Sequence, residues 1–352
     1  MTVILDSYES VQTTLPAAAD GASSMKPRMR RSREGHLFAD APFHLEATVR
    51  VLQRRASNRV DVWEHDSYVR AIHTTSGPTL VRVWNDGGIE KPDLRYEILA
   101  GRHSLAVHST IRAAFTRILG LEANPALLQR VAEVSSVLTS TVQSLRGMRP
   151  PRFPTLFESF ASVIPFQQLS IDAGLSILGK LIERFGEPLS YRGKRYVAFP
   201  RCTVIARASL GDLQACGLSL KKAQTLQGVA RAIESATLAE HTLVGMDSEQ
   251  ALERLVELPG VGPWTAGLVL LRGLGRIDVF PSGDTGAARS LRRLMRLDER
   301  ASLDPVVASF GDVRGYLYFC CLGASLLEKG LIHAAKEPRA TARRSALKDR
   351  TA

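Results

Sequence analysis

A lone carboxylate, Asp284, and a turn of nearly bare backbone that ends twenty-two residues before it are the features of this sequence best suited to chemistry. The turn lies within Leu255-Val256-Glu257-Leu258-Pro259-Gly260-Val261-Gly262-Pro263-Trp264-Thr265-Ala266. An amphipathic helix reaches Leu258, and Pro259 forbids its continuation. Gly260 and Gly262 allow positive φ and carry no side chain. Pro263 suits the first turn of a second helix, where its missing N–H costs nothing. The unpaired N–H groups of the turn and the new helix start point to one spot, a nest that can hold a phosphate oxygen without a basic side chain. The same punctuation also builds an ordinary helical corner with glycines for tight packing. Asp284 follows Ile277–Phe280, which reads as extended, and precedes a helix over Thr285–Met295. It is placed as an N-cap, and the helix dipole favours its ionised form. The four cysteines, Cys202, Cys216, Cys320 and Cys321, have neither zinc nor iron–sulfur spacing. Buried thiols are expected, with no metal and no cofactor.

These residues need elements to position them. From Asn124 onward nearly everything reads as helix. Ile171, Leu175, Leu178, Ile182 and Phe185 form one apolar stripe that starts after Ser170 as N-cap and stops at Gly186-Glu187-Pro188. Similar stripes cover Leu220–Ile233, Ala251–Leu258 and Val313–Leu327. Between Phe38 and Leu121 short β-like runs dominate: Phe43–Val49, Arg59–Glu64, Tyr68–His73, Thr79–Trp84 and Arg95–Leu99. Helical stretches at Thr48–Arg55 and Ser104–Leu119 accompany them, so this part is a small α+β domain. The expected organisation is a tail over 1–36, an α+β domain over 37–122, an all-helical bundle over 123–335 and a second tail over 336–352. Both tails are basic and lack periodicity, which reads as disorder.

The formal net charge is +11, and the tails account for less than half of it. Phosphate is the natural partner of such a surface, although excess Lys and Arg also serve solubility alone. No run of eighteen apolar residues exists, so no membrane span is expected. The first thirty residues lack the order of a secretory signal. A cytoplasmic, nucleoid-associated setting follows, or a nuclear one in a eukaryotic source.

The full pattern Leu-Pro-Gly-Val-Gly-Pro-Trp-Thr-Ala resembles the helix-hairpin-helix element of base-excision DNA glycosylases. Asp284, in Asp278-Val279-Phe280-Pro281-Ser282-Gly283-Asp284, stands at the spacing where those enzymes place their catalytic aspartate. Phe157-Glu158 and Ile164-Pro165-Phe166-Gln167-Gln168-Leu169-Ser170 look like the family's helix and loop that enter DNA, and Gly217-Leu218-Ser219-Leu220-Lys221-Lys222-Ala223 like its next signature. Asp66-Ser67-Tyr68-Val69-Arg70 resembles the TATA-binding-protein-like N-terminal domain of the AlkA-type 3-methyladenine DNA glycosylases II. The resemblance covers roughly residues 40–330.

It implies an α+β fold: a small antiparallel-sheet domain followed by an all-α helix-hairpin-helix bundle. It implies that Leu258, Pro259, Gly260, Val261, Gly262 and Thr265 hold DNA phosphate through the hairpin. Asp284 would stabilise the cationic sugar as the base leaves, while also capping its helix. The glycosylase/lyase relatives carry a nucleophilic lysine where this chain has Trp264, so direct hydrolysis is expected. Trp264 is either core or, by resemblance, the indole presented to a flipped cationic base. Gln168 is either a polar loop residue or the wedge that fills the gap left by the flipped nucleotide. The positions aligned with the family's further pocket aromatics are Val51, Leu268 and Leu322, so Trp264 alone remains as a π surface. The sequence therefore reads as a monomeric, monofunctional glycosylase for alkylated bases in double-stranded DNA. A glycosylase for another damaged base and a non-catalytic DNA-binding protein are the rivals.

Overall fold

Alternation of large apolar residues with polar ones through residues 62–100 builds an antiparallel sheet with both faces covered. In a computed structural model, which describes residues 32–335, it has five strands: β1 (Glu34–Leu37), β2 (Val62–Glu64), β3 (Ser67–Thr74), β4 (Gly77–Asn85) and β5 (Leu94–Ala100). Their order is β1-β5-β4-β3-β2, every pairing antiparallel. Side chains alternate across a strand. On one face Tyr68, Ile72, Val81, Val83, Tyr96 and Ile98 meet the helices Leu45–Gln53 and Leu105–Ile118. The opposite face, with Val69, Ala71, Leu80 and Leu99, packs on Tyr196 and Ala198.

Those last two residues belong to a second, two-stranded sheet, β6 (Glu187–Tyr191) and β7 (Lys194–Ala198). This hairpin interrupts a stretch that the sequence reads as helical. Three further expectations change. Phe43–Val49 is not a strand, because His44 caps a helix that starts at Leu45 by accepting from the Ala47 N–H. Residues 34–36, placed in the N-terminal tail by composition, pair with Leu37 as an edge strand against β5. Ile277–Phe280 is a turn, closed by the Val279 N–H donating to Arg276 O at 3.1 Å. Residues 1–31 and the tail over 336–352 lie outside the described residues.

The other helices fall where periodicity puts them: Ile171–Phe185, Leu220–Glu234, Ser248–Val256, Thr285–Met295 and Arg314–Glu328. Ser170 caps the first as expected, accepting from Ala173 N–H at 3.2 Å. Residues 33–335 lie in one compact unit, and its largest apolar cluster runs across position 122, joining Val51, Tyr68 and Phe115 to Leu268, Tyr316 and Phe319. Cys216, Cys320 and Cys321 are buried and Cys202 is half-buried, all four as free thiols. Burial raises every one of them, Cys202 to about 11 and Cys321 to about 12.

One buried charge joins the sheet to the helices. Arg70, 1% exposed, leaves β3 on its helical face and donates to Asp61 Oδ1 at 2.5 Å and to Glu158 Oε1 on the short helix Leu156–Ala161. Tyr68 Oη donates to the same Asp61 oxygen at 2.6 Å. Burial opposes the Arg70 charge, but the carboxylates of Glu158 and Asp61 override it and hold the guanidinium ionised. Removing one partner from such a pair strands the other charge away from water. Arg70→Met should therefore destabilise the protein by about 3–5 kcal/mol, read as a lowered urea midpoint; a loss below about 1 kcal/mol, the scale of a surface ion pair, would contradict this account of the interface.

Candidate active site

The hairpin begins with a well-capped helix. Asp247 Oδ1 accepts from the Gln250 N–H at 2.8 Å, and Gln250 Oε1 accepts from the Asp247 N–H at 3.3 Å, the reciprocal pair of a capping box. Ala251 and Leu255 bury one face of Ser248–Val256, and the chain then turns, with the Val261 N–H donating to Leu258 O at 3.0 Å. Gly260 has φ +82, and a Cβ there would lie 1.9 Å from Thr225 Oγ1 on the helix Leu220–Glu234. Both the dihedral and the approach of that helix demand glycine. Gly262 differs from expectation: its φ is −96, and a Cβ would meet nothing within 4 Å.

Pro263 opens the second helix, Pro263–Val269, at its first position. The N–H groups of Gly260, Gly262, Trp264 and Thr265 have no partner among the described residues, while Pro259 and Gly260 are exposed and Leu258 and Gly262 half-buried. The nest is thus built and open. Val261 faces inward, 4% exposed. The Thr265 side chain is also buried, so only its backbone N–H can meet a phosphate; its Oγ1 accepts from Gln167 Nε2 at 2.9 Å.

That amide ties two elements together. Gln167 Nε2 also donates to Gly260 O at 3.0 Å, and Lys222 Nζ donates to Pro165 O at 3.1 Å and Gln167 O at 2.6 Å. The loop between the turn Ile164–Phe166 and the helix Ile171–Phe185 is thereby pinned against the hairpin. Burial pulls the Lys222 ammonium below its ordinary range. At the tip Gln168 is exposed, in left-handed backbone with φ +56. Leu169 beside it is 45% exposed. Phe157-Glu158, by contrast, does not reach the surface: both are buried, and Glu158 is engaged by Arg70. The Gln167 and Lys222 contacts were not anticipated from sequence, since nothing in a Gln-Gln or Lys-Lys pair says which member turns inward.

Asp284 caps Thr285–Met295, its Oδ1 accepting from the Ala287 N–H at 2.8 Å. Its Oδ2 accepts from Trp264 Nε1 at 3.1 Å. The carboxylate is thus held by two donors on different helices, and both residues remain half-buried. Arg314–Glu328 supports the loop leading to Asp284: the Gly315 N–H donates to Ile277 O at 2.7 Å and the Arg314 guanidinium to Asp278 O. Behind the cap, Cys321 Sγ donates to Ala287 O at 3.7 Å. Val51 and Leu268 are sealed, at 0% and 4% exposure, whereas Leu322 is half-buried; all three share the apolar cluster that Trp264 packs against. Among the described residues no group of His, Cys, Asp and Glu is arranged to hold a metal ion, and no helix is long and apolar enough to cross a membrane.

A sheet region followed by helices that set an open hairpin nest beside a clamped carboxylate matches two family descriptions in succession. Residues 36–154 match the AlkA N-terminal domain, and residues 161–310 match the HhH-GPD superfamily base excision DNA repair protein. Together the two matches take in most of the described residues, so the chain is similar first to AlkA-type N-terminal domains and then to the HhH-GPD superfamily. Among its relatives is the DNA-3-methyladenine glycosylase of Bacillus subtilis (strain 168), 29% identical over 50% of this chain and 58% of that protein. DNA-3-methyladenine glycosylase 2 of Escherichia coli (strain K12) is 29% identical over 66% of this chain and 78% of that one. The chain spans about half the length of the first curated relatives it matches. The solved 3-methyladenine DNA-glycosylase from Archaeoglobus fulgidus superposes with a TM-score of 0.67 at 26% identity, over 85% of this chain and 99% of that one.

The two glycines of the hairpin make a contrast that can be measured. Gly260→Ala must place a Cβ against Thr225 at positive φ, and overpacking of this kind costs about 1–3 kcal/mol. Gly262→Ala meets no atom and should leave the urea midpoint nearly unchanged. Equal losses at the two positions would mean that the packing of Leu220–Glu234 on the turn has been misread.

Proposed function

We propose that the chain is a monofunctional DNA glycosylase, hydrolysing the N-glycosidic bond of alkylated, 3-methyladenine-type bases in double-stranded DNA. The observation that carries this reading is the Asp284 carboxylate, fixed by Ala287 and Trp264 beside a solvent-exposed backbone turn. Departure of the base builds positive charge on the deoxyribose. A carboxylate oriented before the reaction stabilises that charge with little reorganisation, and can align the attacking water. The names of the relatives support the substrate class.

Each remaining residue has a part in this reading. The N–H groups around Gly260–Thr265 hold a phosphate near the lesion. Gln168, projected by its left-handed backbone, enters the stack and hydrogen-bonds the orphaned partner base. Trp264 spends the N–H at its edge on Asp284, which leaves the ring face for the flipped base; that face attracts a cationic base more than a neutral one. Val51, Leu268 and Leu322 wall the pocket. Residues 123–335 carry the chemistry on the support of 37–122, and the enzyme works as a monomer.

Asp284→Asn keeps the shape and removes the charge. Base release from alkylated duplex should fall by about 100-fold or more, while affinity for the same duplex in a gel-shift titration stays close to wild type. Release at an undiminished rate would remove Asp284 from the mechanism. Position 264 decides between hydrolysis and lyase chemistry, because an indole cannot form a Schiff base. Borohydride added during turnover should trap no protein–DNA adduct; a trapped band that disappears on mutating one lysine would place the enzyme in the other branch.

A further inference from the structure

The chain from Ile164 to Ser170 turns sharply, and the elements around it fix the turn. The Leu169 N–H donates to Phe166 O at 3.1 Å, closing it. Phe166 lies under the helix Ile171–Phe185, where a Cβ on Gly174 would fall 2.3 Å from its ring. Gln167 turns inward to the hairpin, its Nε2 donating to Gly260 O and Thr265 Oγ1. Gln168, next in the chain, faces solvent with φ +56. Left-handed backbone is disfavoured for a residue with a Cβ, and persists only where the surroundings over-determine it.

Lys222 supplies that restraint. It stands in the first turn of Leu220–Glu234, and its Nζ donates to Pro165 O at 3.1 Å and to Gln167 O at 2.6 Å. Those two carbonyls lie on either side of Phe166 and immediately before Gln168. One ammonium therefore fixes the peptide planes that set the direction of the tip. No carboxylate pairs with Lys222 among the described residues. Withdrawing an ammonium from water is costly unless it is compensated, and the two carbonyls are its compensation. Three residues on, Thr225 touches the hairpin: it is the group that a Cβ on Gly260 would strike, at 1.9 Å. Loop, hairpin and helix contact one another pairwise. In that closed triangle the tip cannot shift without disturbing the turn that offers its N–H groups to phosphate.

We propose that Lys222 is a positioning residue for base flipping: it holds Gln168 ready, so that capture of phosphate at the hairpin and entry of Gln168 into the base stack occur as one docking step. The inference rests on the glycosylase reading above and assigns the part that a residue outside the pocket plays in it. A tip that must reorganise before it enters the stack adds that cost to every flipping event, whereas a tip fixed in advance has met it on folding. Lys222 touches neither the base nor the sugar, and acts through the backbone of residues 165–167 alone.

The test compares wild type with Lys222→Met, Lys222→Arg, Gln168→Ala and the double variant Lys222→Met with Gln168→Ala. Single-turnover base release from alkylated duplex, at saturating protein, should slow by about ten-fold in Lys222→Met. Affinity for undamaged duplex should stay close to wild type, because the hairpin N–H groups are intact. Lys222→Arg, which keeps a cation within reach of both carbonyls, should recover most of the rate and keeps the test valid if Lys222→Met does not fold. If Lys222 acts through the tip, the double variant should be no slower than the slower single variant. Losses that multiply, or an unchanged rate in Lys222→Met, would overturn the proposal and leave the glycosylase reading standing. 2-Aminopurine placed beside an abasic analogue reads insertion without chemistry. A fluorescence rise in wild type that Lys222→Met weakens supports the positioning role even where wild type releases no base, the outcome that would overturn the glycosylase reading alone.

Discussion

The burial of Arg70 is the constraint from which the site's geometry descends. A guanidinium taken out of water must be met by carboxylates, and the two that meet it come from different parts of the chain: Asp61 just before β2 and Glu158 on the helix Leu156–Ala161. That requirement fixes the helix against the sheet. The next turn of chain is the pinned loop, whose Gln167 reaches the hairpin at Gly260 and Thr265. The residue between those two contacts, Trp264, holds Asp284. Arg70 and Asp284, more than two hundred residues apart in sequence, are therefore linked by a short series of hydrogen bonds and the chain between them.

Neutral donors do most of the positioning around Asp284. A backbone N–H and an indole N–H hold it, and the nest beside it is backbone alone. Such dipoles hold a carboxylate in place without neutralising it, as an adjacent lysine or arginine would. No cationic side chain is bonded to the carboxylate among the described residues, and the proposed reaction needs it oriented towards the sugar.

Much of this was legible in the sequence, for reasons that differ by element. The helices from Ile171 onward follow from apolar stripes bounded by caps such as Ser170 and Asp247, whose signals are local. The hairpin follows from proline and glycine punctuation, which constrains backbone directly. Less legible were β1, too short for alternation to show, and β6–β7, whose Leu189, Tyr196 and Ala198 gain meaning only once the sheet face they cover exists. Phe43–Val49 failed because apolar residues over so short a run fit either period. At the site, the residue types at 264 and 284 were visible but their hydrogen bond was not, since it joins two helices across the loop before Asp284. The partners of Arg70 are likewise facts of tertiary contact. A charged residue in an apolar helix or strand signals that something must meet it, without saying what.

The four thiols carry a consequence for survival in a damaged cell. Cysteine is attacked by electrophiles through its thiolate, and every cysteine here is pushed by burial above its ordinary range. Cys321, one hydrogen bond behind the cap that carries Asp284, is among the most enclosed, held protonated up to about 12. Small methylating agents modify DNA bases and protein thiols alike. With its thiols held protonated and three of the four buried, the protein offers little thiolate to the compounds whose products on DNA it is proposed to remove, and the helix that carries Asp284 is shielded from a methyl group on the sulfur behind it.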